Sequence, residues 1–81
     1  MSIHSYHYSI KLGLNDPPFE SLIMAALRKA DSTNSAKLAA AFPHIFDELK
    51  ARYHAPLGVI PEDGAIDMAA LQDQVRQLME A

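Results

Sequence analysis

Between Tyr6 and Leu12 apolar and polar side chains alternate. Tyr6, Tyr8, Ile10 and Leu12 fall on one side of an extended chain, and His7, Ser9 and Lys11 on the other. A period of two built from aromatic and β-branched residues predicts a half-buried strand, which Gly13 and Asn15 end. The period then lengthens. Phe19, Leu22, Ile23, Ala26, Leu27 and Ala30 form one stripe at helical spacing, predicting an amphipathic helix over 17–30. Asp16-Pro17-Pro18 reads as its start, because Asp caps free amides and Pro at the first helical position loses no hydrogen bond. Glu20 in the first turn, and Arg28 and Lys29 in the last, suit the two ends of the helix dipole.

Asp31 to Ser35 is a run of small polar residues that makes a turn and supplies the next cap. A second helix is expected from about Ser35 to Phe42, where Pro43 either kinks or ends it. Leu38, Phe42, Phe46, Leu49 and Tyr53 keep helical spacing across Pro43, so the segment is one kinked helix or two short ones sharing a face. Pro56, Gly58, Pro61 and Gly64 mark a loop, with Leu57, Val59 and Ile60 expected to pack back onto the helices. From Ile66 to Glu80 the chain reads as helix. Met68, Leu71, Val75 and Leu78 follow a three-four-three spacing, a seam of two heptads. The expected fold is mainly α: one small domain of three to four helices, with one N-terminal β-strand and a C-terminal amphipathic helix. Residues 1–13 make the strand or arm, 16–56 the helical core, 57–64 the loop and 65–81 the last helix. No internal repeat is visible.

Composition sharpens this picture in three ways. The chain has 81 residues, of which 49% are hydrophobic and 21% charged, a globular balance. A domain this short buries only about 60% of its unfolded surface. Without cysteine it has no disulfide to compensate, which favours burial through a partner or a homo-oligomer, most simply a dimer. Seven Lys and Arg face ten Asp and Glu, a net charge of -3 that lacks the usual footprint of a nucleic-acid binder. No apolar run approaches a membrane span, and the N-terminus has no basic stretch followed by an apolar core. The cytoplasm is therefore the expected location.

Candidate chemistry is sparse. His4 and His7 would point to opposite faces of a strand, and neither a His-Glu-x-x-His nor a cysteine pattern is present. No metal and no other cofactor is expected. There is no nucleophile elbow and no Gly-rich phosphate loop. Asp47-Glu48 and Glu62-Asp63 are adjacent carboxylates, which do not face each other on a helix and read as solvated surface. Ser32, Ser35 and Asp31 read as caps. No catalytic residue is assigned, and the chain is expected not to be an enzyme. A helix-turn-helix is the main rival: Leu38 to Phe42 before His44-Ile45-Phe46 has its outline, and Arg28, Lys29 and Lys37 would assist. Its second helix, however, would bring Asp47 and Glu48 toward phosphates.

Pro17-Pro18-Phe19, Leu22-Ile23-Met24-Ala25-Ala26, Ala41-Phe42-Pro43, Glu48-Leu49 and Ala51-Arg52-Tyr53-His54-Ala55-Pro56 form a pattern over roughly residues 16–61. It resembles small phage, prophage and actinobacterial proteins in which a Phe-Pro step precedes a Glu-Leu pair and an Arg-Tyr-x-Ala-Pro turn. Those proteins usually carry Gly-Gly after the Ala-Pro, where this chain has Leu57-Gly58. No activity is attached to them, so the resemblance implies a mobile-element origin and no functional residue. By analogy it fits a module that binds or inhibits a host protein.

Two surfaces are the expected binding sites. One is the strand carrying Tyr6, Tyr8, Ile10 and Leu12, whose backbone must pair within the chain, across a dimer or with a partner's sheet edge. The other is the stripe Met68, Leu71, Val75 and Leu78, which either covers the helical core or forms a seam. The function expected from the sequence is a non-enzymatic protein-binding module. A small DNA-binding regulator and a self-assembling virion component are the alternatives.

Overall fold

A computed structural model describes residues 2–80 and contains five α-helices and two single-turn 3-10 helices among them. The helices are α1 (Ile3–Leu14), α2 (Phe19–Lys29), α3 (Ser32–Ala41), α4 (Pro43–Tyr53) and α5 (Met68–Glu80). The 3-10 turns, Pro56–Gly58 and Pro61–Asp63, lie between α4 and α5. No helix among the described residues is long and apolar enough to cross a membrane.

The expected N-terminal strand is absent: the described residues contain no β-strand, and Tyr6, Tyr8, Ile10 and Leu12 lie on α1. The physical reason is local. Ser2 caps the helix, its hydroxyl accepting the Ser5 N–H at 3.2 Å. Lys11 sits in the last turn, where a cation is favoured. Any alternation over seven residues also contains pairs four apart, here Tyr6 with Ile10 and Tyr8 with Leu12, which a helix stacks on the same side. A strand needs a second strand to take its hydrogen bonds, whereas a helix satisfies them within itself.

The start of α2 also differs from expectation. Asp16 adopts φ 49°, in the left-handed region that Asp tolerates better than most residues, and its N–H donates to the Gly13 carbonyl at 3.0 Å. It therefore follows α1 rather than capping α2. Pro18 holds the N-cap position, accepting at its carbonyl from the Ser21 and Leu22 N–H groups. Pro17 cannot be helical comfortably because it precedes another proline.

At Pro43 the structure chooses two helices over one kinked helix. Phe42, the residue before proline, leaves helical geometry at φ -132° and ψ 65°, while its N–H closes α3 onto the Leu38 carbonyl at 2.8 Å. Pro43 then opens α4, where its missing N–H costs nothing. The cap left open between Asp31 and Ser35 is Asp31, whose carboxylate accepts the Asn34 N–H at 2.8 Å.

The chain divides into two compact units, residues 1–45 and 46–81. In the first, α2 packs against α3 across the short Ala30-Asp31 connection. Phe19 meets Phe42 edge-on with ring centroids 5.5 Å apart, and Leu27 is buried at 9% exposure. In the second, α5 packs against the Pro56–Gly58 turn, and Leu71 and Val75 are half-buried.

Candidate binding helix and its surroundings

The helical form of α1 rearranges its candidate residues. Tyr6 and Ile10 fall on one stripe, which Ile3 and Leu14 extend at three-four-four spacing. Tyr8 and Leu12, four apart, lie on another. Every residue of α1 is exposed, Tyr6 to 61% and Leu14 to 80%, and α1 packs against neither α2 nor α3 of its own unit. Its polar residues give the surface a sign. The Lys11 ammonium lies 5.7 Å from the centroid of the Tyr8 ring, a cation–π distance. The Tyr6 and His7 rings are tilted at 6.0 Å. The Ser9 hydroxyl donates back to its own helix, to the Tyr6 carbonyl at 2.6 Å. The helix contains no Asp or Glu, and its one formally charged side chain is Lys11. Ile3 and Leu14 lay outside the seven-residue alternation that suggested a strand, and their helical spacing was the signal that could have identified them.

Because α1 is a helix, His4 and His7 lie one turn apart rather than on opposite faces, which removes the geometric objection to their acting together. Among the described residues, no three His, Cys, Asp or Glu side chains gather as metal ligands.

The candidate residues of α5 stay on one stripe. Leu71 and Val75 are half-buried, whereas Met68 is exposed and Leu78 is exposed to 77%. Asp67 caps the helix through its carboxylate, which accepts the Ala69 and Ala70 N–H groups at 3.1 and 3.3 Å. The two expected surfaces are thus two helices, one in each unit.

One charged cluster escaped the sequence reading. The Arg52 guanidinium donates to both carboxylate oxygens of Asp63, at 2.7 and 2.8 Å, and to the Gly58 carbonyl at 2.7 Å. Glu48, one turn earlier on α4, lies 3.6 Å from Nε. Asp63 also accepts the Ile60 N–H at 3.0 Å. The hydrogen bonds from Arg52, then that from Ile60, hold the Asp63 carboxyl well below its usual range, at about 2. The same pairing raises the Arg52 guanidinium above its ordinary value. Asp63 therefore stays ionised near neutral pH and cannot serve there as a proton donor. The cluster fastens the loop to α4 where Leu57, Gly58 and Gly64 all take positive φ. Sequence spacing carries no sign of it, because eleven residues separate the partners.

A shallow groove of about 520 Å³ runs between α2 and α3, floored by Ala26, Ala30, Leu38 and Ala41 with Lys29 and Lys37 at its edge. No ion pair joins either lysine to an acid among the described residues. The helix-turn-helix outline finds little support nearby: α3 and α4 are separated by Phe42 alone, whereas that motif uses a turn of about three to four residues. No family model, curated protein or solved structure matches the chain.

Proposed function

We propose that this chain is a non-enzymatic protein-binding module that inserts the Ile3-Tyr6-Ile10-Leu14 face of α1 into an apolar groove on a protein partner. The observation that carries this reading is the bare helix itself. Anchors recurring at successive turns are the signature of helix-in-groove recognition. Six large apolar side chains of α1 are exposed together, a feature that marks interaction sites on small domains. Tyr6 suits such a role because its ring is apolar and its hydroxyl polar. With Lys11 and no acid, α1 favours a groove with an acidic rim. The resemblance of residues 16–61 to phage-type proteins supports a host protein as partner, met in the host cytoplasm. DNA remains the second reading through Arg28, Lys29 and Lys37, which would bind with a steep salt dependence.

The test is a photo-crosslinking scan along α1 in the native host. A photoreactive phenylalanine replaces Tyr6, Ile10 or Leu14 on the anchor stripe, and Ser5 or Ser9 away from it. The reading expects one discrete protein adduct from the stripe positions, weak or absent from the serines and lost in an Ile10→Asp background. Equal adducts from both sets, none from either, or adducts to nucleic acid would overturn it.

A further inference from the structure

The groove between α2 and α3 combines two kinds of surface. Its floor is apolar: Leu38 is half-buried there, beside Ala26, Ala30 and Ala41. Its rim is cationic. Lys29 comes from α2, and Lys37 and Asn34 from α3, and no acid is part of the lining. Neither lysine is tied up in an ion pair among the described residues. Asp31, the acid nearest in sequence, is engaged at the cap of α3, accepting the Asn34 N–H at 2.8 Å. Residues 19–41 hold Arg28, Lys29 and Lys37 against Glu20 and Asp31, a positive excess in a chain of net charge -3. Shape and charge together select an occupant. The volume of about 520 Å³ would admit a small molecule. However, Ala26, Lys29, Asn34, Lys37 and Ala41 are all exposed, so the groove is too shallow to bury most of such a ligand, as small-molecule sites do. A nucleic-acid backbone would engage the lysines and leave the apolar floor unused, and two phosphate contacts bind weakly. A helix with one apolar stripe bordered by acids uses both surfaces. Its stripe covers Leu38, and the alanines beside it permit a close helix–helix approach. Its carboxylates meet one cation on each wall.

We propose that the α2–α3 groove is a second docking site, which takes an acidic amphipathic helix of a protein partner independently of α1. Leu38 supplies the apolar anchor point, and Lys29 and Lys37 set the preference for an acidic helix over a basic one. Both ion pairs form at exposed lysines, so each contributes little. The complex is therefore weak, sensitive to salt and sustained in part by the floor.

The probe is a dye-labelled helical peptide of roughly 14 residues, about four turns, with a leucine and alanine stripe flanked on both sides by glutamate. Its binding to the full chain is followed by fluorescence anisotropy. A lysine-flanked peptide and a scrambled peptide of the acidic composition are the comparators. The proposal expects the acidic peptide to bind about tenfold or more tightly than either, a difference of about 1.4 kcal/mol. Lys29→Glu combined with Lys37→Glu should reverse the order and favour the lysine-flanked peptide. Ala26→Gln fills the groove without changing its charge and should weaken the acidic peptide severalfold. These positions are exposed, so the helical circular dichroism of each variant should match the parent. Amide shifts in the parent keep the answer independent of any substitution: the acidic peptide should move Ala26, Asn34, Lys37 and Ala41 most. Equal binding of the acidic and scrambled peptides, an unchanged order after the double charge reversal, or shifts concentrated on α1 would overturn the proposal. Displacement of the peptide by duplex DNA acting through the same lysines would overturn it too, and assign the groove to nucleic acid. The α1 photo-adduct should survive the double charge reversal, so failure here is separable from failure of the α1 reading.

Discussion

Leu27→Ala tests whether the α2–α3 pair is the core of the first unit. Leu27 is 9% exposed, so nearly all of its side chain is shielded from water. Truncation to Ala removes about three carbon groups at roughly 0.8 kcal/mol each, a transfer loss near 2.4 kcal/mol. A cavity term normally adds to this. Here the surrounding positions on α2 and α3 are half-buried or exposed, so they can close over the gap or admit water, and the total stays at about 2–3 kcal/mol. At roughly 0.05–0.15 kcal/mol per residue, a unit of this size has only about 2–7 kcal/mol to lose. The variant should therefore shift the urea midpoint, followed by circular dichroism at 222 nm, by a large fraction of its parental value. Leu22→Ala is the control. Leu22 lies on the same helix at 39% exposure and should lose less than half as much. Equal losses at the two positions, or a Leu27→Ala loss under about 1 kcal/mol, would refute Leu27 as the centre of packing.

The Phe19–Phe42 pair should show a coupling of about 0.5–1.5 kcal/mol in a double-mutant cycle of the two alanine variants, read from the same urea titrations; additive losses would mean that the rings do not interact in solution. Asp63 predicts an acid limit for the loop that it ties to α4. Its folded value of about 2 lies below the ordinary 3.8, so its stabilisation is present above the ordinary value and is lost as pH falls through the folded value. Thermal melts taken between pH 5 and pH 2 should fall in the parent and flatten in Asp63→Asn, while identical slopes would contradict the pairing with Arg52.

The elements legible in the sequence are those whose signal is confined to one turn or one stripe. The stripe from Phe19 to Ala30 located α2 to within two residues, because a helix with an apolar face needs no distant partner to be recognised. The heptad from Met68 to Leu78 located α5 in the same way. The N-terminal segment was misread because both periods fit its middle. Tyr6 to Leu12 alternates, and Tyr and Ile favour strands; the deciding features, the Ser2 cap and the extension to Ile3 and Leu14, lie at its ends. Phe42 shows a different limit. Pro43 announces a break but not its form, since the choice between kink and stop rests on whether the residue before proline keeps helical geometry.

The Arg52 cluster was illegible for a further reason, and it gives the segment after α4 a structural role. A contact across eleven residues has no periodicity to betray it. Once it is placed, the Arg-Tyr-x-Ala-Pro segment acquires a physical sense. Arg52 sits near the end of α4, its carbonyl accepts the Ala55 N–H at 3.1 Å, and Pro56 opens the 3-10 turn that α5 packs upon. The Phe42-Pro43 step likewise marks where α3 stops and α4 starts. These residues set helix boundaries and hold a loop, which is a role in the scaffold. Large apolar side chains exposed beyond this scaffold lie on α1, at Tyr53 of α4 and at Leu78 and Met79 of α5. Those on α1 form the proposed docking face, and changing them should alter association before it alters folding.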